Sequence, residues 1–281
     1  MLLERMQASD AEFIECCQQA GLIGTSQSCP SGCGAMRLVC CTAGAGGGGG
    51  HWKCLGCGAY RALGTGTWIY ETSPLLGLKP AVLTLYFWTW GYPVVAVCHE
   101  AEAPPSLVVP LYARCSRVCS DYFRNEVSNV GGPGESVELV RFETPGGLIV
   151  LGGMELRSKM NPVFFRVLPA RPSRDDVISA IVDNVASGTT IHCGKDIMET
   201  LGLVGTDYLQ KMWKLYLEPK QNESALIKST WEEYEVSLPP GTSPRYTPKS
   251  LDEFLFRKRM AASRDPFLYF LAIVSTIYPA V

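Results

Sequence analysis

Apolar positions along the chain change period near residue 130. Before that point their spacing is helical. In "MLLERMQASDAEFIECCQQAGLI" the residues Phe13, Cys17 and Ala20 recur at helical intervals. Leu111, Cys115, Val118 and Tyr122 repeat at 4, 3 and 4 residues, one stripe on one helix. Pro104 and Pro105 break that helix from a preceding one ending near Glu102. Past residue 130, in "NVGGPGESVELVRFETPGGLIVLGGMELRS", Gly-Pro turn signals bound two strand-like runs, Ser136–Phe142 and Leu148–Met154, which read as a hairpin. "NPVFFRVLPA" predicts a third strand. "SRDDVISAIVDNVAS" predicts an amphipathic helix with Ser173 as N-cap and Val177, Ile181 and Val185 on one face. "SGTTIHCGKDIMETLG" predicts a turn, a short fourth strand over Thr189–His192 and a helix, with helices from there to the C-terminus.

Two apolar stretches qualify this picture. Ala81–Cys98 is an uncharged run, but Gly91 and Pro93 interrupt it, and the tail "FLYFLAIVSTIYPAV" is short for a bilayer. Both are expected to be buried helices. The N-terminal segment carries acids and no cleavage-site pattern, so the expectation is a soluble, intracellular protein without a membrane role.

Length and charge bound the function loosely. A chain of 281 residues, 47% apolar and 19% charged, can bury one or two sizeable cores. The net charge is −2, and it is even along the chain: 8 Lys/Arg against 9 Asp/Glu before residue 130, and 17 against 18 after it. Neither half is a basic domain, so nucleic-acid binding would have to come from local patches.

The twelve cysteines add chemistry. Without a secretion signal their close pairs favour metal over disulfides. Cys29 and Cys33 stand in "CPSGC", Cys54 and Cys57 in "CLGC", with twenty residues between the pairs. Two knuckles across such a hairpin can place four thiolates around one tetrahedral Zn²⁺. Trp52 precedes the second knuckle, and Gly58 follows it where a tight turn is needed. The hairpin tip, "AGAGGGGG", is a flexible insertion, and Cys40 and Cys41 are nearby thiols that can compete as ligands. A structural zinc ribbon is the expectation.

The two helices around Pro104 form either a helix-turn-helix or a pair that packs on the next domain. Arg114, Arg117 and Arg124 give the second helix a basic side. Three strands, a helix, a strand and then helices is the order of a ribonuclease-H-like domain and of several other α/β layouts.

The chain resembles the Merlin-type transposases, eukaryotic relatives of a bacterial insertion-sequence group with a ribonuclease-H-like catalytic domain. The ribbon cysteines and "GTGTWIYETSPL" are similar to the family's N-terminal portion. "GGPGESVEL" resembles its turn into the first catalytic strand, "LGGMELRS" the second strand, "SGTTIHCGKDI" the strand with the second acid, "ALIKSTWEEYEVSLPPGT" the helix with the third, and "SLDEFLFRKRM" the closing motif. The resemblance implies an α/β fold: a ribonuclease-H-like domain over residues 131–281, a helical region over 73–130, and an N-terminal helix with the zinc ribbon over 1–72.

What the resemblance implies for chemistry is DNA cutting and joining by acids that hold two divalent metals. The three acid positions correspond here to Val140 in "VELVR", Gly194 in "TIHCG" and Lys228 in "IKSTW". A hydrocarbon, no side chain and a cation replace the carboxylates, so no catalytic Mg²⁺ or Mn²⁺ is expected. Glu138 survives two residues from Val140 and shares its face, Glu143, Asp196, Glu223 and Glu232 lie nearby but not in register, and His192 with Cys193 lacks further ligands. The expectation is an inactive, domesticated, nuclear protein that binds DNA or chromatin through the ribbon and cations such as Arg114, Arg117, Arg124, Arg257, Lys258 and Arg259. The alternatives are a protein-interaction scaffold in a nuclear complex, homo-oligomers included, and an active transposase with a rebuilt site.

Overall fold

A computed structural model describes residues 9–40, 50–72, 75–125, 129–156, 162–202, 214–216, 225–238 and 246–280. The chain divides into two compact units, Met1–Tyr122 with Arg257–Val281, and Phe123–Phe256.

The first unit opens with helix α1 (Asp10–Gln19). Ser9 Oγ accepts from the Glu12 amide while the Glu12 carboxylate accepts from the Ser9 amide, so two orphan donors of the first turn are met reciprocally. Phe13, Ile14 and Cys17 are its buried side. Strands β1 (Arg37–Cys40), β2 (Gly50–Lys53) and β3 (Tyr60–Ala62) follow as an antiparallel sheet in that order. Helices α2 (Trp68–Thr72), α3 (Leu78–Thr89), α4 (Val94–Glu100) and α5 (Pro105–Asn125) complete the N-terminal portion. The uncharged run Ala81–Cys98 is therefore two helices. Gly91, at φ +74, ends the first, and Pro93 caps the second. Among the described residues no helix is long and apolar enough to cross a membrane.

The predicted stripe on α5 is the buried one: Leu111, Cys115, Val118 and Tyr122 all lie in the core. The apolar tail forms α10 (Pro266–Ile277), whose Phe270 meets Trp88 of α3 at 4.8 Å between ring centroids. Asp265 caps it through the Leu268 amide, with Pro266 at its first position.

The second unit is built on a five-stranded mixed sheet, ordered β6-β5-β4-β7-β8, where β4 is Ser136–Glu143, β5 Ile149–Glu155, β6 Val163–Leu168, β7 Thr190–Cys193 and β8 Lys214–Tyr216. The β4–β5 and β5–β6 pairs are antiparallel, and β4–β7 and β7–β8 are parallel. The hairpin and the third strand stand where the sequence predicts them, and the fourth, expected over Thr189–His192, is displaced by one residue to Thr190–Cys193. The fifth strand, β8, replaces part of an expected all-helical tail.

Alternation along β4 and β5 sends side chains to two cores. Val137, Leu139, Ile149 and Leu151 pack with Val177, Ile181 and Val185 of the α6 region and with Ile197 and Leu201 of α7. Helix α6 is Arg174–Asn184, and α7 is Lys195–Leu201. Val140, Val150, Met154 and Phe165 face the other way. They pack with Ile227, Trp231 and Tyr234 of α8 (Ala225–Ser237) and with Leu251 and Leu255 of α9 (Pro248–Ala261). Gly153 and Gly152 make room on the two sides. A Cβ on Gly153 would fall 2.2 Å from the Phe164 ring, and one on Gly152 2.8 Å from that of Phe165.

Candidate functional site

The three-stranded sheet presents the two cysteine pairs from the turns that flank it. In the first turn the Cys29 amide donates to Gly34 O and the Gly32 amide to Cys29 O. In the second, the Cys54 amide donates to Ala59 O and the Gly58 amide to Cys54 O. Gly58, at φ +72, supplies the left-handed residue that closes the second turn. The side chains of Cys29, Cys33, Cys54 and Cys57 converge, with all four sulfurs within 4.8 Å of one another. Zinc–thiolate bonds of about 2.3 Å require sulfurs about 3.8 Å apart in a tetrahedron. Cys29 and Cys57 already stand at 3.5 Å, so the group can bind a metal such as zinc with small adjustments.

Its surroundings suit thiolates. The Ser31 amide donates to Cys29 Sγ at 3.4 Å and the Cys57 amide to Cys54 Sγ at 3.5 Å. Burial works against ionising Cys29. The amides of Ser31 and Cys33 and the thiols of Cys57 and Cys54 outweigh it and bring Cys29 down to about 6. The charge on one sulfur then burdens its neighbours: hydrogen bonds with Cys57, Cys29 and Cys54 push Cys33 up to about 12. A divalent cation removes this conflict by stabilising every thiolate at once. Trp52 backs the site, 3% exposed, its indole N–H donating to Leu63 O. Cys40, at the end of β1, stands outside the group, and Cys41 and most of the glycine-rich tip lie outside the described residues.

The three positions at which the resemblance implies acids occupy one region of the second unit. In the parallel β4–β7 register Leu139 faces Cys193, so Val140 and Gly194 are the next residues along adjacent strands. Ile227 and Trp231, flanking Lys228 on α8, pack in the same apolar group as Val140. Val140 is only 9% exposed. Trp231 lies between two rings, stacked on Phe142 at 4.8 Å and on Tyr246 at 5.7 Å. Gly194 has ordinary extended backbone, φ −69 and ψ 166, and serves as N-cap of α7. Lys228 is exposed.

The neighbouring acids are scattered. Glu138 is buried opposite His192 in the register, Glu143, Asp196 and Glu232 are exposed, and Glu223 lies outside the described residues. Among the described residues the cysteine group is the one place where three or more His, Cys, Asp or Glu side chains converge to metal-holding distance. His192 and Cys193 alternate along β7 and point to opposite faces, so they form no joint site. Cys193 belongs to the core, its thiol pushed up to about 11 by burial and then by Asp196.

A residue that pattern reading undervalued organises this region. Thr189 is fully buried, accepts from the Gly132 amide at 2.9 Å and donates to Ala186 O. It thereby holds the Gly131-Gly132-Pro133-Gly134 turn that feeds β4. Its signal in sequence was one hydroxyl, at the first residue of the predicted strand.

The six candidate nucleic-acid cations are placed differently from one another. Arg257 lies over the Trp88 ring at 4.1 Å and donates to Trp88 O at 2.9 Å. Arg259 lies over Tyr122 at 5.7 Å and donates to its hydroxyl. Arg114 covers the Tyr278 ring at 5.1 Å, and Tyr278 OH donates to Asp121, which Arg117 approaches at 3.7 Å. These four are engaged within the fold, and Arg117, Arg124 and Lys258 are exposed. No protein-family model and no curated protein matches the chain.

Proposed function

We propose that the chain is a catalytically silent protein of Merlin-transposase type that carries a structural zinc ribbon and acts on DNA or chromatin in the nucleus without cutting it. The support for its ribonuclease-H-like part is the sheet: three antiparallel strands, then two parallel ones added beside the first, with helices on both faces. The observation that carries the silent reading is Val140. It stands beside Gly194, where hard oxygen ligands for paired metals would have to converge, and its face is closed by the Phe142–Trp231–Tyr246 stack. DNA as partner follows from the family resemblance and is an argument from fold.

A protein partner is the second reading, favoured by one observation. Trp90, Tyr92, Val95 and Val109 are large apolar side chains left about half or more exposed along α3–α5, while Arg257, Arg259 and Arg114 of the same unit are spent on rings.

Zinc quantification followed by calorimetric Mn²⁺ titration tests the silent reading. One zinc per chain and no saturable Mn²⁺ uptake is expected. Saturable Mn²⁺ binding lost in Glu138→Ala would overturn it. A steep fall of DNA affinity with salt supports the DNA reading, and capture of one stoichiometric protein with no DNA bound replaces it with the scaffold reading.

A further inference from the structure

The ribbon sheet has two faces, one buried around Trp52 and one outward. Leu38 pairs with Trp52, and Trp52 with Arg61, along the face that carries buried Trp52. Gly50 lies on that side too, where Ile14 of α1 would stand 3.3 Å from an added Cβ. The opposite face is set by the same register. Arg37 pairs with Lys53 and Lys53 with Tyr60, giving one transverse row, and Val39, His51 and Ala62 form the next. Arg37 is exposed and Tyr60 is 61% exposed. Lys53 Nζ lies 5.4 Å from the Tyr60 ring centroid, and the His51 ring 5.1 Å from it.

This face is polarised in a chain that is otherwise balanced. Between Glu15 and Glu71 the sequence has no carboxylate side chain, against Arg37 and Lys53 on this face and Arg61 on the other. A bound zinc tetrathiolate brings two negative charges of its own, so the cations alone give modest attraction and the ring must contribute the rest. Two cations in one transverse row with an exposed aromatic ring at its β3 end, across about 10 Å of sheet, match a strand whose phosphates are spaced along a backbone and whose bases are free to stack. A duplex keeps its base faces covered by one another, and a neutral apolar peptide leaves the cations unused.

We infer that the outer face of β1–β3 binds single-stranded DNA, with Tyr60 stacking on a base and Arg37 and Lys53 holding the adjoining phosphates. This rests on the DNA reading above and deepens it, placing contact on the ribbon rather than on α5 or α9.

The experiment is fluorescence anisotropy of the full zinc-loaded chain with labelled dT12, with a 12-base-pair duplex and rU12 as comparators, at several salt concentrations. Stoichiometric zinc in each variant certifies the ribbon. The expected result is preference for dT12 over duplex, about a tenfold loss in Tyr60→Ala, and near wild-type affinity in Tyr60→Phe, which keeps the ring. Arg37→Gln with Lys53→Gln should flatten the slope of log affinity against log salt by about 1.4, from about 0.7 per phosphate contact. Wild-type affinity for dT12 in all three variants would overturn the inference while leaving the DNA reading standing. Preference for duplex whatever stands at position 60, or tighter binding of rU12, would also overturn it. No binding of any DNA by the wild type would remove both.

Discussion

Introducing an acid at the position nearest the apolar plug, Val140→Asp, tests whether that region is a sealed hydrocarbon core or a site awaiting a metal. Val140 is 9% exposed, so the lost apolar burial costs about 2 kcal/mol. The new carboxyl meets Ile227, Trp231 and Tyr234 rather than a cation, and Glu138 shares its face two residues away. An acid in such surroundings is raised by about 3 pH units, and at 1.36 kcal/mol per unit that adds about 4 kcal/mol once the folded group ionises. The sign follows from the raised folded value. No charge penalty exists below about pH 4, where both states are protonated; it grows as pH rises and is complete above about pH 7. The variant should therefore lose about 6 kcal/mol at pH 8 and about 2.5 kcal/mol less than that at pH 5, whereas Val140→Asn should lose a pH-independent amount. Urea unfolding read by pulsed hydrogen exchange at β4 and β7 amides reports this unit alone. Wild-type stability of Val140→Asp at pH 8, or saturable Mn²⁺ binding by that single variant, would refute the reasoning.

Removing one ligand, Cys54→Ser, should abolish stoichiometric zinc and expose Trp52, seen as a red shift in its fluorescence; retention of one zinc per chain would count against the tetrathiolate. Gly153→Ala should cost about 1–3 kcal/mol by pressing on the Phe164 ring, measured by the same urea series. Ser173→Ala, which removes the α6 cap seen at Ser173 and Asp176, should cost about 1 kcal/mol at neutral pH. The Ser173 hydroxyl and amide hold the Asp176 carboxyl below its ordinary range. Its contribution is therefore present above about pH 4 and lost as pH falls through the lowered folded value, so Asp176→Asn and wild type should converge in acid.

What the sequence made legible was local. The stripe Leu111, Cys115, Val118 and Tyr122 and the Ser173 cap act within a few residues, and alternation alone places β4 and β5. The cysteine spacing was legible because metal geometry restricts it to few solutions. The fourth strand was read one residue early: Thr189 is not its first residue but the buried clamp on the glycine turn, a role that depends on Gly132, far away in sequence. Strand β8 is three residues long and exists through pairing with the edge of β7, a partner no local pattern announces. The stack of Phe142, Trp231 and Tyr246 is likewise non-local. So is the fate of the arginines: a sequence displays the charge of Arg257 but not the Trp88 ring beneath it.

The partition of the chain has a consequence for its synthesis. The first unit takes residues from both sides of the second, and α3 rests on α10 through Trp88 and Phe270 while Arg257 covers the same indole. During translation the sheet of the second unit has all its strands once residue 216 has emerged and both its apolar faces covered once residue 256 has, so it can fold while still tethered to the ribosome. The helices α3–α5 must wait, their apolar side unmet, until residues 257–281 are made. The interval is one in which Trp88 and its neighbours stand open to chaperones and to other nascent chains. Truncation before residue 257 should therefore leave the second unit folded and the first insoluble.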